Sequence, residues 1–256
     1  MKSKQKPKIP TPAPKISDNQ PLKKHLDPIS WLYVALIISF IVFIRTIFNG
    51  FVNFDDDTGI LANLLYHNFS ISNIIAIFQN ANLGMYAPIS GVLYTFLYSI
   101  SNGNPLIFHL SSLILHLINI VLVFNILKNI FSEKSYIFGL VTLIFAIHPI
   151  QTESLAWAAA MSTPLYAMFY LLSIKVYLSY KSTQINIKYW LSIIFFVLSL
   201  LSKSAAVTLP LILLLIDYVQ DEKFGIKNWI NKIPFFLLAL FFGILTFITR
   251  SNEGHE

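Results

Sequence analysis

Residues 88–100 read PISGVLYTFLYSI, and whether this stretch crosses a membrane decides how the rest of the chain is threaded. As a helix it would reach about 20 Å, short of the roughly 30 Å hydrocarbon core of a bilayer. Seven other apolar segments are longer, at 31–48, 105–127, 135–150, 155–179, 188–202, 205–219 and 232–249. The basic residues settle the count. Seven lysines in residues 1–30 place the N-terminus inside, because cytoplasmic flanks concentrate Lys and Arg. Were 88–100 to span, Lys128, Lys134, Lys175, Lys181 and Lys188 would all lie outside. If it does not span, those five fall inside, joined by Lys223, Lys227 and Lys232, and only Lys203, Arg45 and Arg250 remain at outer ends. Residues 49–104, which contain no Lys or Arg, then form one long external loop. Pro88, suited to the first position of a helix, starts a half-buried helix in that loop.

Composition agrees. The chain is 55% hydrophobic and 12% charged, with a mean hydropathy of +0.66, whereas soluble domains carry about 25% charged residues. The expected fold class is therefore an all-α multi-pass membrane protein of about seven spanning helices. Residues 1–30, rich in Lys and Pro, cannot bury enough surface to fold and are expected to be a disordered basic cytoplasmic tail. The apolar segment behind them is too long for a signal-peptide core, so the tail is not a cleaved leader. The membrane domain covers 31–250, with a short tail at 251–256. The absence of Cys excludes disulfides, thiolate metal sites and cysteine nucleophiles. The formal charge of +6 sits in the tail and short loops, an orientation signal and not a nucleic-acid footprint. Ile, Asn, Lys and Phe are frequent enough to suggest an AT-rich genome, hence a bacterial inner membrane. Within the external loop, Ile71, Ile74, Ile75 and Phe78 recur at helical spacing, as do Ile60, Leu61, Leu64 and Leu65. Both stripes predict helices lying on the outer surface.

This threading gathers polar groups on the outer face. Asp55, Asp56 and Asp57 hold a quarter of the 12 acidic residues and directly follow the first membrane segment. His148 and Glu153 come from HPIQTES at the next outer turn, and Lys203 from LSKSAAVTLP at the one after. Each has a plain structural explanation: an acidic turn, a helix end before proline, a snorkelling lysine. His109 and His116, seven residues apart on one helix face near Asn119, read as interhelical hydrogen-bonding groups. Arg45 either snorkels or pairs with the acidic cluster. Together, the outer set suits group transfer at a membrane surface. A carboxylate takes a proton from an incoming hydroxyl, and a cation holds the phosphate of a lipid-linked donor. Asp, His and Glu would also suit a hard divalent cation, and spacing leaves both roles open.

Four stretches then carry a resemblance: NGFVNFDD, YAPISGVLYTFLYSISNGNPLIFHLSSLILHLINIVLVFNIL, LIFAIHPIQTESLAW and LSKSAAVTLPLILLLIDY, in that order over roughly 31–220. Together they resemble the membrane domain of the transmembrane and tetratricopeptide-repeat glycosyltransferases, a GT-C family related to the protein O-mannosyltransferases. The resemblance implies a GT-C-like fold and an inverting transfer of sugar from a polyprenyl-phosphate donor to an acceptor hydroxyl on the external face. It implies a general base at Asp55 or Asp56, and substrate-binding roles for His148, Glu153 and Lys203. No cofactor is implied. The implied partners are the polyprenyl-phosphate-linked sugar, an acceptor protein or glycan, membrane lipids and a tetratricopeptide-repeat partner, with no nucleic acid. Several positions depart from the family pattern: Ser204 replaces a Glu after Lys203, Met161 an Arg, Thr163 an Asp, and Ala87 an Arg. The chain reaches only Glu256 and lacks the repeats. Two alternative readings follow: a catalytically inactive truncated remnant or partner subunit, and a small transporter using the two helix histidines.

Reporters fused after residues 80 and 131 should report opposite sides of the membrane. The same side for both refutes this threading.

Overall fold

The computed structural model describes residues 28–131, 135–220 and 225–253. Residues 1–27 of the expected 1–30 tail, Lys134, Lys223, the Lys227 side chain and the last three residues lie outside that description, while 28–30 already belong to the first helix. Eleven α-helices follow one another in these segments: α1 (Pro28–Phe43), α2 (Ile71–Gln79), α3 (Pro88–Ser101), α4 (Pro105–Ile130), α5 (Ser135–Ile147), α6 (Gln151–Ala156), α7 (Ser162–Thr183), α8 (Asn186–Ser202), α9 (Leu209–Gln220), α10 (Ile226–Ile230) and α11 (Ile233–Glu253). Short 3-10 turns extend α1 over Ile44–Phe48, precede α7 at Ala159–Met161 and precede α9 at Ser204–Thr208. Among the described residues there is no strand, only an isolated bridge between Asn82 and Met85.

Four stretches are long and apolar enough to cross a membrane: 29–48, 105–130, 159–183 and 233–251. Shorter apolar helices at 137–147, 186–202 and 204–220 make up the expected seven. The chain is an integral membrane protein with an all-α fold. α3 is not one of these apolar helices. Its Ser90 hydroxyl donates to the Ser202 carbonyl at 2.8 Å, seating it on the end of α8.

Long-range contacts show that the apolar helices alternate in direction. Trp31 at the start of α1 packs on Gly139 near the start of α5, where any Cβ would collide with the indole. Phe124 near the end of α4 meets Phe138 of α5 at 5.5 Å. Here glycine permits a close helix crossing, as small residues do in membrane interfaces. α7 and α8 are tied by Ser173 and Ser192, each donating to the other's carbonyl at 2.8 and 2.9 Å. The histidines of α4 are joined to neighbouring backbone as expected: His109 to the Leu155 carbonyl (3.2 Å) and His116 to that of Ala146 (3.0 Å). Asn119 donates to Pro164 at 2.9 Å. Side chains spent on such contacts do not line a transport path.

Two details of the 49–104 segment differ from expectation. Residues 60–65 do not form one helix. A π-turn at Asp57–Leu61 gives way to a 3-10 turn at Leu64–Tyr66, because the Asn63 side chain accepts from the Leu65 amide and starts a new turn. In α2, Ile77 is the buried residue, packed toward Gly91 of α3, while Ile71, Ile75 and Phe78 of the expected stripe are exposed. The helix is apolar on both sides, one for the fold and one left outward, as on a helix that lies against lipid.

At the end opposite the acidic loop, Asp217 of α9 is buried among Lys232, Lys181, Tyr177 and Asn228. Lys181 Nζ lies 3.0 Å from its carboxylate, the Tyr177 hydroxyl donates to both oxygens at 3.1 and 2.9 Å, and Lys232 donates to it directly. Lys232, expected as an inner-loop orientation charge, is fully buried beside α11 and pins that helix to α7 and α9. Removing one member of a buried ion pair leaves an uncompensated charge. Asp217→Asn should lower stability by about 3–5 kcal/mol, read as a fall in Tm in detergent, and adding Lys232→Met should restore much of it.

Candidate active site

The acidic loop is held by its own middle carboxylate. After α1 the chain runs through 49–54 and enters a short helical turn over 55–61. Asp56 is fully buried, with one oxygen accepting from the Val52 amide at 3.0 Å and the other from the Ala159 amide at 2.7 Å. Hydrogen bonds from amides to a carboxylate are about twice as strong as neutral ones. They tie the loop after α1 to the connection between α6 and α7. The Ala159 carbonyl in turn accepts from the Tyr94 hydroxyl of α3 at 2.6 Å. Burial, aided by Tyr66 and Asp56, pushes the Tyr94 phenol above its ordinary pKa, so it stays a neutral donor. One residue's backbone thus joins three elements.

Asp55 precedes Asp56 by one residue and therefore points about 100° around the turn. It is half-buried and lines a mixed polar and apolar cleft whose polar residues include Lys203, Tyr66, Tyr94, Asn63, Asn82 and Ser162. Lys203 ends α8 in extended conformation and also lines this cleft, while its Nζ donates at 2.8 Å to Oγ1 of Thr163, a residue beside the cleft and not in its lining. Burial lowers its pKa below the usual lysine value, partly offset by the charge of Glu153. Asp57 opens the π-turn, and its carbonyl accepts from the Ala62 amide at 2.8 Å.

His148 and Glu153 are placed differently. His148 is exposed after α5, with its Nδ1 accepting from the Ile150 amide at 3.2 Å. Glu153 is exposed on α6, close enough to influence Lys203 electrostatically but without a salt bridge to it. Neither lines the cleft. Asp55 and Lys203 therefore line one cleft, Asp56 is bonded behind the acidic turn as a brace, and His148 and Glu153 occupy exposed positions outside that lining. Arg45 is exposed and makes no ion pair with the acidic cluster. Met161 is buried in the apolar core. Among the described residues, no group of three or more His, Asp or Glu gathers as a metal site. Sequence reasoning missed Tyr66, Tyr94 and Asn82, which lack a local signal because their partners lie far along the chain.

An all-α membrane protein with a cleft of mixed charge at one end is the class these features define. Similarity then narrows it. The chain is 27% identical over 198 residues to protein O-mannosyl-transferase Tmtc1 of Drosophila melanogaster, covering 72% of this chain and 22% of that protein. It is 25% identical over 227 residues to human protein O-mannosyl-transferase TMTC4, covering 77% and 30%. With human protein O-mannosyl-transferase TMTC3 it shares 28% over 150 residues, 55% and 16%. The chain spans less than a third of the length of these relatives. Neither a family model nor a solved structure matches it. Over most of its length the chain is thus similar to a part of these protein O-mannosyl-transferases.

The two neighbouring carboxylates should behave differently when altered. Asp56→Ala, which removes the acceptor of two buried amides, should cost about 3 kcal/mol of stability. Asp55→Asn should leave Tm in detergent within about 1 °C, since no described hydrogen bond uses its carboxylate and surface-facing changes shift stability little.

Proposed function

We propose that this chain is a membrane glycosyltransferase that moves a sugar from a polyprenyl-phosphate donor to an acceptor hydroxyl, with inversion and with Asp55 as general base. The observation that supports this most is a carboxylate and an ammonium facing one cleft, Asp55 and Lys203. Of the two candidate bases, Asp56 has both oxygens occupied by backbone amides, which favours Asp55. The similar proteins bear names that specify mannose and a protein acceptor, and we extend that reaction class to this chain.

In this mechanism the acceptor oxygen attacks the anomeric carbon from the side opposite the phosphate. The carbon–oxygen bond to phosphate breaks, and its electron pair leaves with the phosphate. The hydroxyl proton passes to Asp55. Lys203 offsets the charge that grows on the leaving phosphate, an interaction worth most in a water-poor cleft. His148 and Glu153 serve the approach of substrate from their exposed positions. The positive-inside pattern puts the cleft on the external face of a bacterial inner membrane, with the N-terminus cytoplasmic. A tetratricopeptide-repeat partner would present the acceptor.

One observation favours the inactive-remnant reading: Met161, where the family pattern has a cation, is fully buried in apolar core. Sugar transfer from labelled polyprenyl-phosphate in membranes tests both. Asp55→Asn should reduce transfer at least 100-fold, in line with loss of a general base. Retained transfer sinks the assignment, and a wild type silent with every donor supports the remnant.

The lysine adds a pH signature. Because the Lys203 pKa lies below its ordinary value, its charge is lost at a lower alkaline pH than that of a free lysine. Transfer should therefore decline on the alkaline side. Lys203→Arg, whose guanidinium does not titrate there, should move that decline upward.

A further inference from the structure

Between α2 and α3 the chain makes a two-residue hairpin, Asn82-Leu83-Gly84-Met85. The amide of Asn82 donates to the Met85 carbonyl at 3.1 Å, and that of Met85 donates back at 3.0 Å. Leu83 and Gly84 both have positive φ, 47° and 65°, the signature of a type I′ turn. Gly84 suits its place. Leu83 does not, because such turns favour Asn, Asp or Gly at the first central position, and a left-handed Leu is uncommon.

Its side chain is 39% exposed but rests one end on the acidic turn. Leu83 packs on Gly59, where a Cβ would come within 2.7 Å of Leu83 Cδ1. Beside it, Asn82 Nδ2 donates to the Gly59 carbonyl and to the Tyr66 hydroxyl, both at 3.1 Å. Gly59 lies four residues after Asp55 in the same helical turn, so the two share one face. Asp55, Gly59, Asn82 and Leu83 all line the cleft. The acidic turn is thus gripped from two sides: Asp56 fastens it to the start of α7, and the hairpin clamps it at Gly59.

We propose that Asn82 and Leu83 are positioning residues for Asp55, and that the left-handed strain at Leu83 is retained because only a side chain there fills the space left by Gly59. Neither side chain acts on substrate directly. The inference rests on the reading of Asp55 as base, and it predicts that an improved turn gives a worse enzyme.

Leu83→Asn separates the two, since Asn-Gly is a preferred type I′ pair while the contact with Gly59 is lost. The hairpin should fold at least as well, with Tm unchanged or raised. Turnover should fall about tenfold with donor KM within about twofold, as misplacing a catalytic group by about 1 Å lowers rate more than binding. Leu83→Met, which refills the seat, should restore most of the turnover. A second readout needs no activity. The chain has no cysteine, so Asp55→Cys provides a single thiol. In detergent its labelling by a maleimide should be about fivefold faster when combined with Leu83→Asn or Asn82→Ala. Unchanged labelling in both double variants overturns the clamp whether or not the enzyme works. Faster labelling with wild-type turnover in Leu83→Asn overturns the positioning role. A wild type with no transfer counts against the glycosyltransferase reading alone, and labelling then decides the clamp.

Discussion

The backbone of Ala159 is where the polar end of this molecule is assembled. Its N–H donates to the buried Asp56 carboxylate, and its carbonyl accepts from Tyr94. These two bonds join the loop after α1, the non-spanning helix α3 and the entry to α7. Neither carboxylate nor phenol could be buried without them, because an unsatisfied polar group costs about 1–3 kcal/mol and a lone charge far more. The cleft exists because these elements are held edge to edge. Asp55 faces it because Asp56 is turned away into the peptide.

Elsewhere the same rule of internal satisfaction shapes the helix packing. In a bilayer no water is present to bond buried polar groups, so several of these side chains bond to neighbouring backbone, although the second ring nitrogen of His109 and the amide oxygen of Asn119 have no partner. Ser173 with Ser192, His109 with Leu155, His116 with Ala146, and Asn119 with Pro164 all follow this pattern. Each contributes about 0.6 kcal/mol on average, so register comes from their number and from close packing, not from any single bond. The Asp217–Lys232 pair at the opposite end works differently. It gathers α7, α9 and α11 around charge, and its worth lies in the cost of breaking it.

The two ends thus divide the work. One carries a closed ion pair with its partners bonded inside the protein. The other carries a carboxylate and an ammonium that share a cleft yet form no salt bridge with each other, so both retain capacity for a ligand. The Lys203 ammonium donates to a neutral hydroxyl, that of Thr163. A lysine so placed keeps most of its charge for whatever enters.

The sequence by itself determined where the seven apolar segments lie and that 88–100 is a shorter stretch apart from them. These depend on segment length and hydropathy along one dimension, quantities that need no contacts. The glue role of His109 and His116 was also legible from their spacing. Only the tertiary structure decided which of two adjacent carboxylates faces the cleft. Successive residues on a helical turn point about 100° apart, and the amide that fixes their rotation comes from Ala159, 103 residues away. The burial of Lys232, the outward face of α2 and the seat of Leu83 on Gly59 were hidden for the same reason. Each is set by a partner from another segment, and hydrophobic pattern reports that a residue is apolar or charged, not which neighbour it will meet.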